Sequence, residues 1–113
     1  IQEFMLVPAG FETFSRSVQA GVEIYHSLYD LIIRGGHHSA VGDEGGFAPT
    51  LHRNEDALSL LVQSISNAGY TPGENCFIAL DVAASELTTD GGISYFLASE
   101  NETLTALEMI DLS

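Results

Sequence analysis

A continuous apolar run, Cys76-Phe77-Ile78-Ala79-Leu80, is the feature that most constrains the fold of this chain. A run of this length without alternation is typical of a parallel β-strand whose two faces are both covered. Asp81 ends the run, so a charged side chain follows directly after a strand that we expect to be buried. Strands of this kind need helices on their faces, and two helical patterns precede it.

The first helical pattern follows Thr13 and Ser15, either of which can cap a helix, and Gly35-Gly36 ends it. The second pattern has Asn54 as its predicted N-cap, with acidic residues in its first turn. Gly69 ends this second helix. The apolar positions of the first helix recur at intervals of three and four residues, which is one helical face: Phe14, Val18, Val22, Tyr25, Tyr29 and Ile32. Those of the second predict its buried face: Leu58, Leu61, Val62, Ile65 and Ala68.

Residues 1–8 read as a strand closed by Pro8, and residues 93–97 as a short extra strand after a turn. Thr105 and Glu108 form a capping-box pattern that predicts a last helix. The order strand, helix, helix, strand, helix predicts an α/β fold. We expect residues 1–113 to be one incomplete domain of a longer protein. The chain opens inside a strand-like run, and its last helix stops after about two turns.

The charge balance excludes two classes of partner. The chain holds 16 acidic residues against three arginines and no lysine, a formal net charge of −13. A chain this acidic cannot place a row of basic side chains against a phosphate backbone, which argues against nucleic-acid binding. Binding to anionic membranes is disfavoured for the same reason. The one cysteine cannot form an internal disulfide, so nothing indicates an oxidising compartment, and we expect a cytoplasmic protein.

Asp81 is the most informative candidate for a functional residue. It lies where α/β folds place ligands, at the carboxyl end of a buried strand. An aspartate capping the turn at residues 83–85 is an equally good interpretation. Position alone leaves both open.

Glu44 and Glu3 are the other carboxylate candidates. Glu44 lies in a glycine-rich loop, Gly42-Asp43-Glu44-Gly45-Gly46, which permits close approach of the backbone to a ligand. A solvated acidic turn is the alternative. Glu3 shares a strand face with Met5 and Val7, so its carboxylate needs a partner or a place at the strand end.

Other chemically capable residues give weaker signals. His37 and His38 are adjacent and rarely converge on one ion, so surface histidines are the better interpretation. His26 fits a hydrogen-bonded packing residue, and Cys76 an inert small hydrophobe.

Three segments together resemble the enolase family, the phosphopyruvate hydratases of glycolysis. They are Ile1-Gln2-Glu3-Phe4-Met5, Val41-Gly42-Asp43-Glu44-Gly45-Gly46-Phe47-Ala48-Pro49 and Ala79-Leu80-Asp81-Val82-Ala83-Ala84-Ser85-Glu86. Their order and spacing follow the family pattern across nearly the whole chain. The resemblance implies part of a modified TIM-type barrel that begins strand, strand, helix, helix.

By position, the resemblance implies that Asp81 is one of three carboxylate ligands of Mg²⁺ and that Glu44 is a general acid. Gln2 and Glu3 would line the substrate pocket, with Glu3 near the C3 hydroxyl. The implied reaction interconverts 2-phosphoglycerate and phosphoenolpyruvate, small-molecule substrates, in an enzyme that is a homo-oligomer. The family's general base is a lysine, which this chain lacks, so we expect the base, two metal carboxylates and the phosphate-binding residues beyond Ser113.

Two hypotheses compete with an active enolase segment. One is a non-catalytic interaction fragment, and the other is an acidic module that binds cations. The isolated chain is expected to be inactive under all three.

Overall fold

Two strands in the middle of the molecule pair directly with each other. The computed structural model describes residues 1–37, 40–42, 45–88, 90–91 and 93–112. The elements in chain order are β1 (Glu3–Val7), α1 (Phe14–Arg34), α2 (Asn54–Asn67), β2 (Phe77–Asp81), α3 (Ala84–Leu87), β3 (Ser94–Leu97), β4 (Glu102–Thr105) and α4 (Ala106–Leu112). β1 pairs with β2, and β3 pairs with β4, both antiparallel. The predicted α/β class and the first strand and both long helices are confirmed.

The core lies where α1, α2 and the segment before β2 meet. Its fully buried residues are small or branched and include Ala20, Ile24, Ile65 and Cys76. Leu6 packs against this cluster from β1, which ties one face of the β1–β2 pair to the helices. Burial raises the pKa of the Cys76 thiol, which agrees with the inert packing role expected of it.

The prediction that the apolar run forms a parallel strand covered on both faces is wrong. β2 is antiparallel to β1, not parallel, and its residues Phe77 and Leu80 are 42% and 37% exposed. Phe77 lies on the face that it shares with Met5 and Val7, which are also more than a third exposed, and we call this the open face. Leu80 lies on the opposite face, next to the end of the strand.

Two further predictions about the helices need correction. Arg53, not Asn54, is the N-cap of α2, because the amide and side chain of Asn54 donate to Glu100 Oε1 at 3.1 and 2.6 Å. The backbone N–H of Arg53 donates to Asp56 Oδ2 at 3.1 Å, which closes the first turn. In α2, Leu61 and Ile65 are buried as expected, whereas Val62 is 43% exposed.

The apolar stripe predicted for α1 lies mostly on the surface. Phe14 is 85% exposed, and Val18 and Val22 are about half exposed. The helix instead buries Ala20, Ile24 and Ile32. Thr13 caps α1 by accepting from the backbone N–H of Arg16 at 3.3 Å, which confirms one of the two proposed caps.

The radius of gyration and the accessible surface of the molecule are both larger than those of a compact domain of the same length. Its radius of gyration is 15.5 Å, against about 13 Å for a compact domain of this length. Its accessible surface is 7356 Å², against about 6,000 Å² for a folded monomer of the same mass. Exposed apolar side chains on the open face of β1–β2, on α1 and on α4 contribute to this surface. None of the helices in the described residues combines the length and apolarity that crossing a bilayer requires.

The last third of the chain forms a hairpin followed by α4. β4 was not predicted, because only Leu104 of its four residues is apolar and pairing with β3 supplies its register. The predicted capping box is present: Glu108 Oε2 accepts from the Thr105 backbone at 2.8 Å, and Thr105 Oγ1 accepts from the Glu108 backbone at 3.3 Å.

A carboxylate–phenol contact fastens α1 to the turn after α2. The Tyr70 hydroxyl donates to Glu23 at 2.6 Å, and Gln19 donates to the other oxygen of Glu23 at 2.8 Å. The Tyr70 hydrogen bond, more than that from Gln19, lowers the pKa of the Glu23 carboxyl, and it raises the pKa of Tyr70. The contact therefore stabilises the fold above the ordinary glutamate pKa and is lost as the pH falls through the lowered value.

We expect Tyr70→Phe to return the pKa of Glu23 toward the ordinary glutamate value of about 4.3, because its strongest hydrogen-bond donor is removed. NMR titration of the carboxyl carbons in low-salt buffer measures this, with the signal of Glu12 as internal reference. An unchanged Glu23 midpoint in Tyr70→Phe would show that the contact does not form.

Candidate active site

Glu3 and Asp81 lie directly opposite each other at one end of the β1–β2 pair. The antiparallel register makes them Cα partners, so both side chains point to the same face of the sheet. This is the open face, which also carries Met5 and Phe77. Gln2 completes the group, because its backbone N–H donates to the carbonyl oxygen of Asp81 at 3.0 Å. Three of the four predicted site residues are thus adjacent.

The turn after β2 sets the position of Asp81. Asp81 Oδ1 accepts from the backbone N–H of Ala83 at 2.9 Å, so the capping interpretation is correct for this oxygen. Ala83 has φ 48° and ψ 49°, a left-handed conformation. Residues with a Cβ adopt this conformation at a cost of about 1–2 kcal/mol. The contact leaves Oδ2 outside the turn, so capping and ligand binding are compatible.

Two carboxylates facing each other across a strand pair repel. Arg53 and Glu55 form the one salt bridge among the described residues, and Glu3 and Asp81 take no part in it. A cation placed between or beside Glu3 and Asp81 would relieve their repulsion, and carboxylate oxygens are the hard ligands that Mg²⁺ prefers. The described residues contain no group of three or more histidine, cysteine or acidic side chains that could enclose a metal ion by themselves.

The glycine-rich segment is closed by its own backbone. The Gly42 N–H donates to the carbonyl oxygen of Gly46 at 2.7 Å, and the Gly45 N–H donates to that of Gly42 at 2.9 Å. Val41 and Phe47 form a β-bridge at its base. The predicted acid Glu44 and its neighbour Asp43 fall outside the described residues.

A cleft of about 980 Å³ joins this segment to the strand end. Its walls include Gln2 and Glu3 from the strand side, and Gly42, Gly46 and Phe47 from the loop. Asp81 is not part of its lining, although it faces Glu3. The cleft has the size of a small-molecule site and brings the loop that carries Glu44 to the same space as the predicted substrate residues.

Comparison with known proteins decides the family. A family model described as "Enolase, C-terminal TIM barrel domain" matches residues 1–112. A curated relative from Sulfurimonas denitrificans, named Enolase, is 52% identical over 110 residues, which are 97% of this chain and 26% of the relative.

The chain belongs to the enolase family.

Family membership confirms the expected TIM-barrel type of fold. The described residues form no closed barrel, and the chain spans about a quarter of the length of the relative it matches. The open face of β1–β2 carries the two carboxylates at one end and apolar residues behind them.

None of the described histidines lines the cleft beside Glu3. His26 is exposed and meets Tyr25 edge-on, with ring centroids 6.0 Å apart. His37 lines a separate concavity of about 390 Å³ that also includes His52 and Asp56. His38 lies outside the described residues.

Two aromatic residues at the site were missed as functional candidates. The sequence patterns place Tyr25 on the apolar stripe of α1 and Phe47 in the enolase-like motif, and they give neither residue a functional role. The structure stacks their rings at 4.4 Å beside the glycine-rich segment. The available signal was a tyrosine in the middle of an apolar stripe, since its hydroxyl needs a polar partner.

Proposed function

We propose that this chain supplies part of the active site of a Mg²⁺-dependent enolase that interconverts 2-phosphoglycerate and phosphoenolpyruvate in glycolysis, in the cytoplasm. The observation that carries the proposal is the pairing of Glu3 with Asp81, with Gln2 beside them. It gathers at one strand end the residues that the family resemblance assigns to substrate and metal. The assembly of the whole enzyme into a homo-oligomer is part of the same proposal.

The reaction requires two proton movements at different carbon atoms. A base removes the proton from C2, and the hydroxyl on C3 leaves as water after receiving a proton. This chain has no lysine, so the family's base must come from another part of the enzyme. Glu44 would deliver the proton to the leaving hydroxyl, and Gln2 and Glu3 would orient the substrate next to it.

The residues at the strand end fit a role toward Mg²⁺. Asp81 is exposed at the end of β2, one oxygen is fixed by the turn, and a second carboxylate lies opposite. Asp81 would be one carboxylate ligand, and further ligands must join it, because the described residues offer no complete set. A bound Mg²⁺ would stabilise the negative charge that builds on the substrate carboxylate when C2 loses its proton.

A hybrid enzyme tests the proposal. In it, this chain replaces the matching 110 residues of the Sulfurimonas denitrificans enolase. We expect the hybrid to form phosphoenolpyruvate from 2-phosphoglycerate with Mg²⁺, as measured by absorbance, at a rate within about tenfold of the unmodified enolase. A folded hybrid with no turnover would contradict the proposal and favour the non-catalytic interaction hypothesis. An inactive hybrid, together with an isolated chain that by itself binds Mg²⁺, would favour the cation-binding module.

The isolated chain is expected to form no phosphoenolpyruvate and to be poorly stable or self-associated. It lacks the lysine base, and the open face and strand edges of β1–β2 invite pairing with other chains. Its charge of −13 opposes association, so added salt should increase the particle mass in light scattering by screening that charge. A monodisperse monomer that melts cooperatively would contradict the stability half of this prediction, and turnover above buffer would contradict the catalytic half.

A further inference from the structure

An aromatic clamp on α1 holds the glycine-rich segment. The Tyr25 ring stacks on Phe47 with centroids 4.4 Å apart and planes 27° apart. The Tyr25 hydroxyl donates to the carbonyl oxygen of Gly45 at 3.2 Å. Tyr29, one turn further along α1, meets Phe47 at 5.8 Å.

These contacts grip the segment on the C-terminal side of Glu44. Gly45 follows Glu44 directly in the chain, and Phe47 follows two residues later. Internal hydrogen bonds join Gly42, Gly45 and Gly46 to one another. In the part of the chain that the structure describes, Tyr25 and Tyr29 connect this segment to α1 through a hydrogen bond and ring contacts.

We propose that Tyr25 is a positioning residue, which holds the glycine-rich segment against α1 and thereby sets where Glu44 can deliver its proton. This inference rests on the proposed function. Tyr25 does not touch the substrate in this role. It acts through the backbone that carries the acid.

The ring of Tyr25 carries more of this role than its hydroxyl. The hydrogen bond to Gly45 is exposed and 3.2 Å long, so water can replace it at small cost. The stack with Phe47 has no such replacement, and a pair of this kind changes an equilibrium by about two- to tenfold. Tyr25→Phe should therefore retain most of the positioning, whereas Tyr25→Leu should lose it.

A positioning role and a merely structural role predict different kinetics. Loss of folded enzyme lowers every step of the reaction by the same factor. Misplacement of the acid slows departure of the C3 hydroxyl and leaves removal of the C2 proton less affected, because the two protons move at different atoms. The ratio of C2 proton exchange to dehydration therefore separates the two roles.

The experiment uses the hybrid enzyme with Tyr25→Leu, Tyr25→Phe and Tyr70→Leu. Tyr70 is the matched control, because it stabilises the same helix through Glu23 and does not contact the glycine-rich segment in any described contact. Hydrogen–deuterium exchange of peptides spanning residues 40–49 measures the hold on the segment. Loss of deuterium from C2-labelled 2-phosphoglycerate, compared with phosphoenolpyruvate formation, gives the ratio of the two steps.

We expect Tyr25→Leu to speed amide exchange in residues 40–49 by about two- to tenfold and to raise the exchange-to-dehydration ratio by a similar factor. Tyr25→Phe should restore both toward the unsubstituted hybrid, and Tyr70→Leu should leave the ratio unchanged. Unchanged amide exchange in Tyr25→Leu would overturn the clamp. Faster amide exchange with an unchanged ratio would overturn its catalytic role. The amide measurement needs no turnover, so it remains decisive if the hybrid proves inactive and the proposed function fails.

Discussion

Asp81→Asn in the hybrid enzyme should lower kcat at least about 100-fold while the protein stays folded. Asparagine has the same shape, and its side-chain oxygen can still accept the hydrogen bond from the Ala83 backbone. The change also removes the like charge opposite Glu3, so the melting temperature should stay the same or rise slightly. Under the proposed function, the substitution removes one negative charge from the ligands of Mg²⁺, and turnover across a Mg²⁺ titration measures the effect.

Glu86→Gln is the matched control for this prediction. Glu86 is an exposed carboxylate five residues further along the chain, on the short helix α3. Its substitution removes the same charge from the neighbourhood and should leave turnover within about twofold. If Asp81→Asn turned over normally at saturating Mg²⁺, Asp81 would be a turn cap and nothing more.

Glu44→Gln should slow dehydration by about 10²- to 10⁴-fold, the usual contribution of a general acid. Glutamine has no proton to give to the leaving hydroxyl. Exchange of the C2 proton should persist, because the base that removes it acts on a different atom. The measurement compares deuterium loss at C2 with phosphoenolpyruvate formation in the hybrid enzyme.

Glu12→Gln, a substitution of an exposed glutamate before α1, controls for the general effect of removing a negative charge. It should leave both rates unchanged. If C2 exchange and dehydration fell by the same factor in Glu44→Gln, the acid assignment would be wrong, and Glu44 would serve binding or folding instead.

Local signals in the sequence were enough to predict the caps of α1 and α4 and the presence of both long helices. Thr13 and the box formed by Thr105 and Glu108 cap helices as predicted, because these contacts involve residues only three positions apart. The fold class followed from the order of such elements. The Asn54 cap failed because Glu100, 46 residues away, takes the hydrogen bonds of Asn54, and no local pattern reports a contact at that distance.

The antiparallel direction of β2 could not be predicted from local sequence either, because it depends on a contact with a distant part of the chain. An apolar run shows that a strand can be covered on both faces, but it contains no information on which neighbour pairs with it. The register of β1 with β2 decides that Glu3 faces Asp81, and this pairing spans 78 positions of the chain. The family resemblance grouped these residues as a site, whereas their spacing in sequence could not.

The apolar periodicity of α1 correctly predicts a helix, but it does not predict which of its residues are buried. The spacing of Phe14, Val18 and Tyr25 predicts a helix, and the helix is present. Periodicity reports that an apolar face exists without saying what it contacts. Tyr25 uses its position on that face to hold a loop, and Ile24, its neighbour in sequence, fills the core.

The most direct test of the central claim is a crystal structure of the hybrid enzyme with Mg²⁺ and phosphoenolpyruvate. The quantity to measure is the distance from the Asp81 carboxylate to the metal. We predict about 2.1 Å, the usual length of a Mg²⁺–oxygen bond, with Oδ1 of Asp81 still bonded to the Ala83 backbone and Glu3 facing the substrate. A structure in which Mg²⁺ is fully coordinated without Asp81, and the substrate lies away from Glu3, would contradict the account.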